Sequence, residues 1–170
     1  MSKRALISYV SSLDKKAVAQ QLIDLYDRFP VVKTYYDFVF NPKEEQLIQE
    51  AKRKIYNEYF PLRSRRPKAR RSVAQKYITH FKSLGMDSSM LADLMMYNLE
   101  IAQRYSMEKG VAEAFYKSML TSFNRALQHI IYHKLWPDFK SRICQFYEYI
   151  KRMQWPNSEA FSWVVTHVPE

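Results

Sequence analysis

Asp87-Ser88-Ser89-Met90-Leu91-Ala92-Asp93-Leu94-Met95-Met96-Tyr97-Asn98-Leu99-Glu100-Ile101-Ala102-Gln103-Arg104-Tyr105-Ser106-Met107 reads as one amphipathic helix. Leu91, Leu94, Met95, Asn98, Ile101, Ala102 and Tyr105 recur every three or four residues, the repeat of a helix with one covered face. Asp87-Ser88-Ser89 is a favourable start, because short polar side chains accept from the free N–H groups of a first turn. The same periodicity extends along most of the chain. Upstream it gives helices over 3–10, 14–29 (Val18, Leu22, Leu25, Tyr26 and Phe29 on one face), 42–60 and 68–84. Downstream it gives 111–135, 137–154 and a short last helix from Asn157 or Ser158 to Thr166.

The boundaries have local causes. Pro30 ends the second helix. Asn41-Pro42-Lys43-Glu44 opens the helix carrying Leu47, Ile48, Ala51, Ile55 and Tyr59, with a cap, a first-turn proline and a glutamate three residues on. Gly85 closes 68–84 as a C-terminal cap, and Trp155-Pro156 breaks the helix before it. The stretch 31–40 is dense in aromatic and branched residues, suits a buried helix or a strand, and is read as a helix. The expected fold is all-α: seven or eight helices packed as antiparallel helical pairs in a single domain over 1–170. A basic loop at 61–68 lies inside it, and 155–170 forms a loosely docked tail.

Composition excludes several function classes. The chain has 170 residues, 47% of them hydrophobic and 15% aromatic, enough for a core and against disorder. Gly85 and Gly110 are its two glycines, so Walker A, Gly-x-Gly-x-x-Gly and Gly-x-Ser-x-Gly sites are absent. One cysteine, Cys144, allows no intramolecular disulfide and no Cys-rich zinc site, and inside a helix it reads as a structural thiol. The apolar run Ala5-Leu6-Ile7 is too short for a signal peptide, and 160–169 is about half of the ~20 residues a bilayer span needs. A soluble, cytoplasmic protein with no membrane partner is expected.

Charge is concentrated. The net charge is +10, and the stretch between Tyr59 and Met86 holds eight bases and no acid. Residues 1–58 carry ten bases and eight acids, and 87–170 carry nine of each. Six of the eight bases fall at Arg63, Arg65, Arg66, Lys68, Arg70 and Arg71, ahead of a helix carrying Lys82. A concentrated positive field attracts polyanions. A helix start prefers negative charge, so an anion docked there would satisfy free N–H groups, dipole and arginine forks together. These seven residues are the expected anion-binding set, for nucleic acid first and an acidic protein second. Alternatively the run is solvated surface, or Glu44, Glu45 and Glu50 fold back on it. On a helical wheel begun at Lys68, Arg71, Gln75, Thr79 and Lys82 share the solvent side and Arg70 turns to the apolar side. Arg70 is therefore the expected anchored arginine, stacked on an aromatic ring or tied to a carboxylate of another helix. Tyr59, Phe60, Tyr77 and Phe81 flank the run at core spacing, so burial is their expected fate.

Catalytic signals are sparse. His129-x-x-x-His133 has a spacing that suits Zn or Ni, but the glutamate of His-Glu-x-x-His is missing and no third ligand is indicated beyond His80, His167 or a carboxylate. Both histidines are read as helix-packing residues, with no metal and no cofactor. Glu100 and Arg104 have ion-pair spacing, and Asp93 and Glu100 lie two turns apart. No nucleophile, base and oxyanion donor assemble, so a non-enzymatic binding protein is expected. The rival is a helical protein-interaction or scaffold module whose basic loop has no specific partner.

Four stretches resemble an uncharacterised family of small bacterial all-helical proteins, a domain of unknown function. They are Lys33-x-Tyr35-Tyr36-x-Phe38-x-x-Asn41-Pro42, Arg66-Pro67-Lys68-Ala69-Arg70-Arg71-Ser72-Val73-Ala74-Gln75-Lys76, Ala92-Asp93-Leu94-Met95 and Phe115-Tyr116-x-Ser118-Met119. The resemblance spans about residues 1–150, and 154–170 departs from it. It implies a soluble bacterial protein of one domain and lends no activity.

Overall fold

A computed structural model describes residues 2–62 and 66–166. The described residues form nine helices and no strand: α1 (Ser2–Ser11), α2 (Lys15–Arg28), α3 (Pro30–Phe40), α4 (Glu44–Tyr59), α5 (Arg71–Leu84), α6 (Ser88–Glu108), α7 (Glu113–Tyr132), α8 (Trp136–Arg152) and α9 (Ser158–Thr166). The all-α expectation holds, and the count exceeds the seven or eight expected. The ambiguous 31–40 stretch is helical, with Pro30 in its first turn, where the missing N–H costs nothing.

Local chemistry sets most ends. Asp14 accepts from Ala17 N–H at 2.7 Å, and Asp87 accepts from Ser89 and Met90 N–H at 2.9 and 3.0 Å. Asn41 closes α3 with its N–H on Asp37 instead of opening α4, which starts at Glu44. Gly85 takes φ 77°, and Met86 N–H returns to the Phe81 carbonyl at 3.2 Å. The same wrap ends α7 and α8, where Lys134 (φ 59°) and Gln154 (φ 46°) stand in the left-handed position. Leu135 N–H reaches Ile130 O at 2.8 Å, and Trp155 N–H reaches Ile150 O at 3.3 Å. No glycine marks these stops, so periodicity alone runs the two helices on to 135 and 154.

The backbone packs as two compact units, 1–43 and 44–170. In the first, Tyr26 O–H donates to Asp37 at 2.6 Å between α2 and α3, and Gln21 donates to the Tyr9 hydroxyl at 2.6 Å between α2 and α1. In the second, α6 is the central element and packs on α4, α5, α7 and α8. Eight of its residues are buried: Leu91, Ala92, Leu94, Met95, Met96, Asn98, Leu99 and Ala102. Asn98 holds an apolar position, and its Oδ1 has no partner among the described residues. The stretch from 155 onward, expected as a loosely docked tail, carries Trp155 and Phe161, both buried. Phe161 packs against Phe123 and Phe146.

Cross-helix contacts orient the second unit. Glu44 accepts from Asp87 N–H at 2.9 Å, and the Tyr59 and Tyr105 rings sit 5.5 Å apart, so α4 and α6 run in the same sense. Arg71 meets Ser118 and Ser122, and Lys82 shares a groove with His133, so α5 and α7 also run in the same sense. No described helix is long and apolar enough to cross a membrane.

Candidate anion-binding site

The basic run enters α5 differently from the wheel's expectation. Arg63 and Arg65 lie outside the described residues. Arg66 and Lys68 are exposed. Lys68 and Ala69 both donate backbone N–H to the Glu58 carbonyl, at 3.1 and 2.8 Å, and Ala69 takes φ 48°. This clasp delays the helix to Arg71, three residues later than Lys68. Arg70 stays outside as the N-cap residue, with its fork on the Glu58 carboxylate at 2.9 and 2.7 Å and its side chain 55% exposed. Hydrogen bonding from Arg70 holds the Glu58 carboxyl below the ordinary carboxylate range. Among the described residues, Glu58 is therefore the acid that answers the run.

Arg70 is thus tied to a carboxylate of another helix, as expected, but stays largely in solvent; the more enclosed arginine is Arg71. Its Nε donates to Ser118 Oγ at 2.7 Å, one Nη to Ser122 Oγ at 2.6 Å and the other to Tyr59 Oη at 3.4 Å. Its guanidinium lies 5.7 Å from the Phe115 ring centre. No carboxylate pairs with it among the described residues, and burial depresses its pKa. The wheel grouped Arg71, Gln75, Thr79 and Lys82 correctly. Thr79 and Lys82 are exposed as the wheel expected, but α7 covers the Arg71 end of that side, which the wheel of a single helix cannot reveal.

Beyond Arg71 the two helices separate into a groove of about 770 Å³. Ile78 and Met95 give it an apolar lining. Lys82, Arg125, Gln128, His129, Tyr132 and His133 stand around it, and none of its lining residues is an acid. Arg125 reaches across to Gln75 Oε1 at 3.0 Å, which fixes its guanidinium at the groove. His129 is buried, and its Nε2 meets Ser88 O at 2.9 Å; this nitrogen carries the proton, because a carbonyl only accepts. Burial lowers the His129 pKa, and His133 and Lys82 lower it further against that bond. Of the expected anion set, Arg71 and Lys82 fall along this seam. Arg125 was missed. Its signal was in the sequence: from Ala114 to Pro137 there is no acid, while Lys117, Arg125 and Lys134 are present. The balanced total over 87–170 concealed that run.

The flanking aromatics divide. Tyr59 and Phe81 are buried, while Phe60 and Tyr77 are half-buried. Phe60 joins Tyr56, Tyr105 and Pro67 of the basic run in a cleft of about 390 Å³. Arg104 lies over the Phe60 ring, 5.1 Å from its centre.

The remaining candidates are structural. Arg142 grips Glu100 at 2.9 and 2.9 Å and Asp93 at 2.7 Å, and Lys52 pairs with Asp93 from the other side. Burial raises the Asp93 pKa, but the hydrogen bonds from Lys52 and Arg142 prevail and hold it low. Both carboxylates are thus occupied by cations. Arg104 pairs with Glu108 at 3.6 Å and not with Glu100 as its spacing suggested, because Arg142 already takes Glu100. His129 and His133 have ring centres 4.4 Å apart, but His133 ends α7 and is exposed, contrary to a packing role. No three potential metal ligands cluster among the described residues. Cys144 is free and half-buried.

Fold and site together define an all-helical protein with an acid-free basic groove between two helices. The chain matches a family of unknown function (DUF6155) over residues 1–168, and belongs to that family. The match continues past residue 150 through the last helix. No curated protein and no solved structure matches the chain.

Proposed function

We propose that this is a non-enzymatic binding protein that engages an anionic partner along the α5–α7 seam. The observation that carries this reading is the groove itself: Lys82, Arg125, His129 and His133 converge on it and no acid lines it. Ion-pair networks normally mix both signs, and a one-sign concave site focuses counter-charge. The run Arg63–Arg71 adds long-range attraction through Arg66 and Lys68, with Arg70 partly neutralised by Glu58. From Arg71 to Lys82 the seam is roughly 16 Å long at 1.5 Å per residue, the reach of a few phosphates. Nucleic acid is ranked first because the half-buried Phe60 cleft beside the run suits base stacking.

The test is anisotropy of a labelled single-stranded oligonucleotide titrated at several salt concentrations. With three or four phosphates engaged, log K should fall against log salt with a slope of roughly −2 to −3. Lys82→Glu with Arg125→Glu should abolish binding. Lys151→Glu with Arg152→Glu changes net charge equally outside the groove and should retain it. No binding at low salt, or equal loss in both pairs, refutes the reading. The interaction-module alternative gains weight from Arg70 and Arg71 both being held within the fold.

A further inference from the structure

Tyr132 is the most exposed of the described tyrosine, phenylalanine and tryptophan residues, at 81%. A lone exposed apolar side chain is ordinary on a protein surface. Tyr132 differs in where it stands: it is the last residue of α7, and it lines the acid-free groove.

The helix repeat places it among the groove's cations. Arg125 and Tyr132 are seven residues apart on α7, close to two full turns. Both therefore fall on the groove side, about 10 Å apart along the axis at 1.5 Å per residue. Gln75 and Lys82 have the same separation on α5. Because α5 and α7 run in the same sense and Arg125 bonds Gln75 at 3.0 Å, Lys82 comes level with Tyr132. The groove thus has a fixed guanidinium at one end and an ammonium beside an aromatic ring at the other, with Ile78 and Met95 in the lining between them. His133 meets the Tyr132 ring edge-to-face, with centres 4.9 Å apart and planes at 82°. With four-fifths of the side chain in solvent, at least one face of the Tyr132 ring is open. The Phe60 ring, by contrast, is half-buried and has Arg104 over it.

Cations spaced along a groove, with an open ring beside one of them, are complementary to a chain that alternates phosphates with flat bases. Acidic side chains bring the charge without a flat partner for the ring. A duplex keeps its base faces stacked on one another, whereas an unpaired strand offers both phosphate and base face.

We propose that the groove holds a single-stranded nucleic acid, with backbone phosphates on Arg125 and Lys82 and an unpaired base stacked on the Tyr132 ring. The inference rests on the anion-binding reading above and adds to it the strandedness of the partner and the residue that senses it.

The test compares two labelled strands of equal length and charge, one of deoxythymidine and one of abasic deoxyribose, by anisotropy at low salt. Wild type should prefer the thymidine strand to the abasic strand and to a duplex of the same length. Tyr132→Ala should weaken the thymidine strand by roughly 5- to 100-fold, the loss expected for one stacked base, while the abasic strand, with no base to lose, changes little. Tyr132→Trp should keep the preference, since it keeps a stacking face. The side chain is exposed, so all three proteins should show the same helical circular dichroism and urea midpoint. Equal affinity of wild type for the thymidine and abasic strands, a duplex bound as tightly as the single strand, or a Tyr132→Ala variant that loses neither strand or both alike overturns this inference and leaves the anion-binding reading standing. No binding of either strand overturns both.

Discussion

Replacing Arg71 should hurt the protein more than replacing Arg70, although both stand at the mouth of α5. Arg71→Ala removes two short charge-assisted hydrogen bonds, to Ser118 at 2.7 Å and Ser122 at 2.6 Å. Such bonds contribute roughly 1.5–3 kcal/mol each. Packing against Phe115 adds about 0.5–1 kcal/mol. The guanidinium's desolvation cost disappears with the side chain and offsets part of this total. The orphaned serine hydroxyls can turn to carbonyls one turn back on α7, which limits the residual penalty. The net loss should be about 2–3 kcal/mol, or a fall of roughly 4–12 °C in Tm for a chain of this size. Arg71→Met keeps the apolar stem and adds no buried charge, so it should lie between Ala and wild type. Arg70→Ala breaks an exposed pair with Glu58 and should cost distinctly less, because water screens that pair in the wild type. Urea denaturation of the three variants decides the matter. If Arg70→Ala is the worst of them, or Arg71→Ala lies within about 0.5 kcal/mol of wild type, the packing assigned to Arg71 is wrong.

Phe161→Ala should cost about 3–5 kcal/mol in urea denaturation, since its ring is fully buried against Phe123, Phe146 and Trp155. Lys134→Gly and Gln154→Gly should each stabilise by roughly 0.5–1 kcal/mol in thermal melts by relieving a left-handed non-glycine residue, and a loss of stability would contradict those helix ends. His129, with its pKa lowered by burial, contributes stability that is present above the unfolded value of about 6.5 and is lost as pH falls through the lower folded value. Urea midpoints of wild type should therefore drop below about pH 6.5 more steeply than those of His129→Gln, and parallel curves would exclude the effect.

Much of the fold was legible because its causes are local. The Asp87 cap, the spacing along 91–105, the proline at 30 and the glycine at 85 each act within a turn or two of chain. The ends of α7 and α8 were not legible. Lys134 and Gln154 occupy a conformation that glycine would have announced, and the neighbouring contacts impose it on ordinary residues. The start of α5 was misplaced for a related reason: two backbone bonds to Glu58, ten and eleven residues upstream, hold Lys68 and Ala69 out of the helix.

Sequence by itself determined that this chain is helical, that most of its core lies along the 3.6-residue stripes of α4 to α8, and that Arg71, Gln75, Thr79 and Lys82 share one side of α5. Those properties follow from the angle between successive residues, which is the same wherever the helix lies. Only the tertiary structure decided that α7 covers one end of that side and opens a groove at the other. It alone placed Arg125 beside Gln75, spent Arg70 on Glu58, and joined Asp93 and Glu100 through Arg142. A helical wheel states which residues face together. Which neighbour they meet depends on contacts between residues roughly forty to fifty positions apart, and no local repeat encodes them.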